Sequence, residues 1–149
     1  MNKSIKNKWI LIISVCTFML TFIPDIHGQN YNPNTLDFLK RSLNFLMAGD
    51  YQNAIISCNE VIRRDPHSAL NYVLRGRAYY ELTEYDKAIA DFSHAIRLDR
   101  NNTSAFVLRG NSHRQMGDIT KAVTDWEAAL RINPDNPEAK RNLELARPQ

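Results

Sequence analysis

Between Leu36 and Ala146 apolar side chains recur three and four residues apart, in short runs separated by Gly, Pro, Asn and Asp. That spacing gathers apolar groups on one face of an α-helix. Leu36, Leu39, Leu43 and Leu46 make one such run; Tyr72, Gly76 and Tyr79 make another; Ala88, Phe92, Ala95 and Ile96 make a third. No stretch alternates apolar and polar residues as a half-buried strand would, so the pattern predicts an all-α fold of short helices.

The runs themselves repeat. Asp65-Pro66, Asp99-Arg100 and Asn133-Pro134 follow one another at intervals of 34 residues, and Leu74-Arg75-Gly76 returns as Leu108-Arg109-Gly110. Ala54, Ala88 and Ala122 keep the same register, as do Ile62, Ile96 and Leu130, and Asp91-Phe92 returns as Asp125-Trp126. Each unit therefore holds two helices. The breaks between them, Gly49-Asp50, Thr83-Glu84 and Gly117-Asp118, sit where a helix C-terminus closes in the left-handed conformation, which glycine adopts freely and Thr83 does not. Between units, Ser68, Asn102 or Thr103, and Asn136 are placed to cap the next helix, the last followed by Pro137 at a first helical position.

These residues resemble the tetratricopeptide repeat, whose 34-residue unit has an aromatic, Leu-Gly and Tyr in its first helix, then Ala, an aromatic and Ala in its second, closed by Pro. Unit two supplies Tyr72, Gly76, Tyr79, Ala88, Phe92 and Ala95; unit three supplies Phe106, Gly110, Ala122, Trp126, Ala129 and Pro134. Unit one is looser: Phe38, Ser42, Phe45, Ala54 and Pro66 fit, but Cys58 stands where an aromatic is usual and Val61 where alanine is. The resemblance implies a right-handed α-α superhelix of three helix-turn-helix units, at 35–68, 69–102 and 103–136, with residues 137–149 forming a capping helix and tail. Small residues at Gly76, Ala88 and Ala95 would let the paired helices approach while Tyr72, Tyr79 and Phe92 fill the space beside them. Arg75 and Arg109 replace the usual leucine, and each unit that carries one also carries an acid before its second-helix aromatic, Asp91 or Asp125, which predicts helix-to-helix ion pairs. Arg41 has only Ser57 at the corresponding place.

Ahead of the repeats lies a different kind of sequence. Lys3, Lys6 and Lys8 precede an uncharged run of fifteen residues, Trp9 to Ile23, stopped by Pro24 and Asp25. This is the layout of a secretory signal, with cleavage expected after Gly28 and residues 29–34 left as a polar linker. The run is short beside the roughly 20 residues of a membrane span, so anchoring in a membrane is expected only if the leader stays uncleaved. Export, to a periplasm or outside the cell, is the expected destination.

The 19 Lys and Arg outnumber the 16 Asp and Glu, but three of those lysines and one of those acids lie in the leader. The near-neutral remainder argues against a nucleic-acid partner. Cys16 and Cys58, one in the leader and one in a repeat helix, are not expected to pair. His27, His67, His94 and His113 are scattered without metal-ligand spacing, and there is no phosphate-binding glycine loop, so neither cofactor nor catalysis is expected. His113 reads as a packed substitute for tyrosine, and Cys58 as a small core residue.

What the resemblance implies about function is a concave groove lined by the first helix of each unit. The groove positions are Leu36, Leu39, Leu43, Leu46 and Met47 in unit one, Leu70, Val73, Arg77, Tyr80 and Glu81 in unit two, and Ser104, Val107, Asn111, Arg114 and Gln115 in unit three. The groove should pass from apolar to polar and basic. The implied partner is a peptide or helix of another protein, anchored on the Leu36 to Met47 stripe, with Arg77 and Arg114 selecting for acidic groups. Alternatively the stripe is covered by the chain's own residues 29–34, or by a second copy, the latter making the protein a self-associating structural subunit. Some members of the family grip chaperone C-termini with lysines and asparagines; Leu39, Leu43 and Leu74 occupy those places here, which disfavours that partner class.

Overall fold

The computed structural model describes residues 33–146, with side chains from Thr35 onward; the predicted signal, residues 29–32 of the expected linker and the last three residues lie outside the described residues, and Pro33 and Asn34, expected in the linker, open the first helix. Seven helices follow in order: α1 (Pro33–Ala48), α2 (Tyr51–Arg64), α3 (Ala69–Glu81), α4 (Tyr85–Leu98), α5 (Thr103–Gln115), α6 (Ile119–Ile132) and α7 (Pro137–Ala146). No strand occurs among the described residues. The helices pair as α1 with α2, α3 with α4 and α5 with α6; each pair stacks on the next, and α7 closes the far end against α6. No described helix is long and apolar enough to cross a membrane.

The turn inside each unit is the Schellman closure that its residues predict. The amide of Asp50 donates to the carbonyl of Phe45 at 2.9 Å and that of Gly49 to Leu46 at 3.2 Å, and the same pair of bonds recurs around Thr83 and around Gly117. Gly49 and Gly117 have φ of 75° and 82°, and Thr83 is forced to 61°, where its Cβ crowds the backbone. Asp50 and Asp118 then cap α2 and α6 through their side chains, accepting from the amides of Asn53 and Lys121. Between units, Asn102 rather than Thr103 caps α5, and the Asn136 carboxamide oxygen accepts from the Ala139 amide at 2.8 Å. Ser68 stands at the cap position of α3 but makes no side-chain cap bond, so that expectation fails; the buried Asn71 instead ties α3 back to the Asp65 carbonyl at 3.3 Å.

The core runs through the stack as a series of joints. Ala54, Ile55 and Ala78 meet Phe45, Leu46 and Tyr79 between the first two units. Tyr72, Ala95 and Ala105 meet Ile62 and Ile96 in a cluster that draws on all three units. Val107, Ala122, Trp126 and Ala129 meet Ala139, Leu143 and Ala146 of the cap. Within a unit the close approach is set by one pair, Gly76 against Phe92 and Gly110 against Trp126. A Cβ at Gly76 would lie 2.8 Å from Phe92 Cε1, and one at Gly110 would lie 2.7 Å from Trp126 Nε1. Unit one evens the sizes: Ser42 stands in the glycine's place and Cys58 in the ring's, both fully buried. Burial pushes the Cys58 thiol up to about 11, which leaves it protonated and inert at neutral pH.

Both expected ion pairs are present. Arg75 holds Asp91 with two bonds, Nε to Oδ2 at 2.8 Å and Nη2 to Oδ1 at 2.7 Å, and Arg109 holds Asp125 at 2.9 and 2.7 Å. Each guanidinium also reaches into the preceding unit, Arg75 to Asn59 Oδ1 at 2.7 Å and Arg109 to Ser93 Oγ at 3.0 Å. One arginine thus fastens three helices. Arg41 has no such acid; it is exposed and lies 5.7 Å over the Phe38 ring, whose nearer guanidinium is Arg64, at 4.6 Å. Phe38 is therefore clasped at the edge of unit one, not sunk in its core.

Candidate functional site

The first helices lie side by side, α1 beside α3 and α3 beside α5, and α7 continues the row. Antiparallel pairs stacked this way set the first helices in one layer, so their non-packing faces line a common surface. A recess of about 540 Å³ opens there across three of them. Its walls are Val73, Leu74, Arg77, Tyr80 and Glu81 of α3, Ser104, Val107, Leu108, Asn111 and Arg114 of α5, and Glu138, Arg141 and Asn142 of α7, with Asn136 at the rim.

The side chains in this recess divide into those the fold has used and those it has not. Asn111 is used: its Oδ1 accepts from Trp126 Nε1 at 3.1 Å and Asn142 Nδ2 at 2.8 Å, and its Nδ2 donates to Glu138 Oε1 at 2.8 Å. With only 7% of its surface exposed, Asn111 is a post joining α5, α6 and α7, not the free groove contact expected of it. Val107 is likewise buried in the cap joint. Gln115 Nε2 donates to the Tyr80 hydroxyl at 3.3 Å, which couples the rims of α3 and α5, and Tyr80 packs edge-on against Tyr85 at 5.5 Å between centroids. By contrast, Arg77 and Arg141 are exposed, and no ion pair among the described residues engages Arg77, Arg114 or Arg141. The half-buried Arg114 has its guanidinium 5.7 Å over the Trp126 ring, a contact that orients it without neutralising it.

Beside the recess, α1 presents the apolar stripe. Leu36, Leu43 and Met47 are 37%, 40% and 87% exposed, and Leu70 at the start of α3 is 49% exposed. Leu39 is half-buried, and Leu46 turns into the joint with Ala54 and Ala78. Of the residues expected on the groove, Leu36, Leu43, Met47, Val73, Arg77, Tyr80 and Arg114 thus present surface, whereas Leu46, Val107 and Asn111 serve the core. The whole α7 wall was missed by sequence reasoning. Its signal was Asn142, a polar residue at a position facing the stack, which is legible only once α7 is seen to repeat the role of a first helix.

Among the described residues no histidine or cysteine lines the recess. His113 is half-buried beside Asp125, Nε2 to Oδ2 at 3.9 Å, and burial pulls its imidazole below the usual value. His94 stacks on Tyr72 with 4.0 Å between centroids. Neither histidine lines the recess. Among the described residues no group of His, Cys, Asp or Glu is arranged to hold a metal ion.

No curated protein matches the chain in sequence. The family described as TPR repeat matches residues 76–117 and 110–146, and that described as tetratricopeptide repeat matches residues 38–68. Among solved structures, the Arabidopsis OM64 TPR domain superposes with a TM-score of 0.74 at 22% identity, covering 75% of this chain and 93% of that one. The second TPR domain of human RPAP3, in complex with the HSP70 peptide SGPTIEEVD, gives 0.73 at 29% identity, over 77% of this chain and 96% of that one. The first TPR of Spaghetti (RPAP3), bound to the HSP90 peptide SRMEEVD, gives 0.74 at 25% identity, over 82% and 95%. The period, the paired helices, the small-against-large contacts and these matches agree, and the chain belongs to the tetratricopeptide-repeat family.

Proposed function

We propose that the chain is a non-catalytic scaffold that holds a peptide or helix of a partner protein in the concave groove. The observation that carries this reading is the recess across α3, α5 and α7, with three arginines that no acid among the described residues pairs, opening beside the exposed Leu36, Leu43 and Met47 of α1. A surface whose polar members are left unsatisfied by the fold, next to apolar members left uncovered by it, is suited to a ligand that supplies both. Structural relatives with bound peptides support the mode of binding. They do not carry over their partner, because Leu39, Leu43 and Leu74 stand where a grip on chaperone C-termini needs polar groups. Residues 1–28 direct the chain to export in this reading, and a protein retained in the cytoplasm on fractionation of its host would overturn that part.

A photo-crosslinking residue placed at Leu43 or Arg77, on the groove, and at Ile56 or Glu127, on the exposed faces of second helices, tests the proposal. Adducts from the first pair alone are expected; equal capture from the second pair refutes groove binding. The exposure of Leu36, Leu43 and Met47 also favours a second reading, a dimer through this stripe. Light scattering over a range of concentrations decides it: a monomer rules out a second copy on the stripe, whereas a dimer lost in Leu43→Asp places one there.

A further inference from the structure

Resting on the groove reading, we propose that the ligand is an extended segment, apolar at one end and carrying acidic side chains along the other, gripped through its interior and not by a free C-terminus. Two features of the recess lead there.

The first is where the positive charge sits. Arg77, Arg114 and Arg141 come one each from α3, α5 and α7. Packed helices lie about 8–10 Å apart, so the three arginines spring from backbones spread over roughly two helix spacings. One terminal carboxylate cannot answer all three, whereas carboxylates distributed along a chain can. An extended chain of the polyproline type advances about 9 Å every three residues and returns to the same face each time, which matches one acid per helix. Of the two acids in the recess, Glu138 already accepts from Asn111, and Glu81 stands alone at the rim. The second feature is continuity: the recess runs across α3, α5 and α7 without a break, so one segment lying along it meets all three helices.

The apolar end of such a segment has its seat on Leu36, Leu43, Met47 and Leu70. A second copy stacking end-on against α1 is a poorer occupant of this end of the molecule. The positions that α3 and α5 bury against the preceding unit, Asn71 and Ala105, and Ala78 and Ser112, are Asp37 and Asn44 in α1, both exposed and polar. The outer face of α1 is hydrophilic while its concave face is left apolar.

The test uses the full chain and fluorescent twelve-residue probes read by anisotropy, in both sequence directions. One probe has an apolar half and a half with Glu at every third position, its C-terminus amidated. A second replaces each Glu by Gln, and a third is the Gln probe with a free C-terminal carboxylate. The amidated Glu probe is expected to bind, to weaken at least tenfold in Arg77→Gln/Arg141→Gln, whose side chains carry no part of the fold, and to lose affinity with added salt. Loss of binding in Leu43→Asp checks the groove reading separately. A Glu probe sensitive to Leu43→Asp but not to the arginine changes overturns the inference and leaves the groove standing; insensitivity to both overturns both. Binding by the free-carboxylate probe alone, no binding by any probe, or a dimer that occupies the stripe each overturns the inference.

Discussion

Adding one methyl group at Gly76 tests the small-against-large joint on which the whole stack depends. In Gly76→Ala the new Cβ would lie 2.8 Å from Phe92 Cε1, 3.0 Å from Cδ1 and 3.1 Å from Cζ. Phe92 is fully buried, so its ring cannot swing clear without displacing the joint. Overpacking of this kind costs about 1–3 kcal/mol. Against it stands the usual gain of about 0.5–1 kcal/mol when alanine replaces glycine inside a helix. The clash wins, for a net loss of about 1–2 kcal/mol, read from urea unfolding followed by helical circular dichroism. The decisive control copies unit one, where Cys58 faces Ser42. In a Phe92→Cys background, itself costly, the obstacle is gone and the same Gly76→Ala change should become neutral or stabilising, which gives a coupling of about 1.5–3 kcal/mol in the double-mutant cycle, the clash returning with the propensity gain unchanged. A Gly76→Ala protein as stable as the parent, or one equally destabilised in both backgrounds, would refute the reasoning.

Thr83→Gly relieves a left-handed threonine on an exposed turn and should raise stability by about 1 kcal/mol, a rise of a few degrees in the midpoint of thermal unfolding. Asp125→Asn leaves Arg109, held in two bonds to Asp125, without its counter-charge; the guanidinium is 22% exposed, so the loss should be about 2–3 kcal/mol, below that of a fully buried pair, in equilibrium unfolding. Burial holds the His113 imidazole below its ordinary value of 6.5, so the folded state takes up its proton less readily than the unfolded chain. The stability this group supports is present above that value and falls as pH drops through it, and His113→Gln should flatten that part of the stability-versus-pH curve. Cys58, pushed up to about 11 by burial, should resist alkylation at pH 8 in the folded protein and react once denatured.

Repetition explains why so much of the fold was legible in the sequence. A single Gly-to-ring contact would be an ambiguous signal, but Gly76 with Phe92 and Gly110 with Trp126 recur 34 residues apart, and each occurrence confirms the other. The ion pairs were legible for the same reason, since Arg75 with Asp91 and Arg109 with Asp125 share one spacing. The third partners, Asn59 and Ser93, were not, because they lie in the preceding unit and differ in kind. The groove was legible as a set of positions but not as a set of free side chains. Asn111 and Val107 occupy groove positions by register, and only the placement of α7 shows that the cap joint has consumed them. Ser68 makes no cap bond, and the turn after Pro66 is instead held by Asn71 and by the Tyr72 hydroxyl, which donates to the Pro66 carbonyl at 3.1 Å.

That consumption at one end is what gives the concave surface a direction. Near α7 the cap recruits Asn111, Asn142, Glu138 and Trp126 into one hydrogen-bonded joint, so the polar groups there are fixed in place before any ligand arrives. Near α1 the apolar side chains stand open instead, with Leu36, Leu43 and Met47 all exposed. A ligand would meet a preorganised polar end, where orientation costs little, and an apolar end whose side chains, Met47 above all, adapt their rotamers to what is bound. Specificity should therefore reside mainly in the arginines beside the rigid joint, and affinity mainly in the leucine stripe. On this argument Asn142→Ala, which breaks the joint without touching any exposed groove side chain, should relax discrimination between the Glu and Gln probes more than it weakens binding of either.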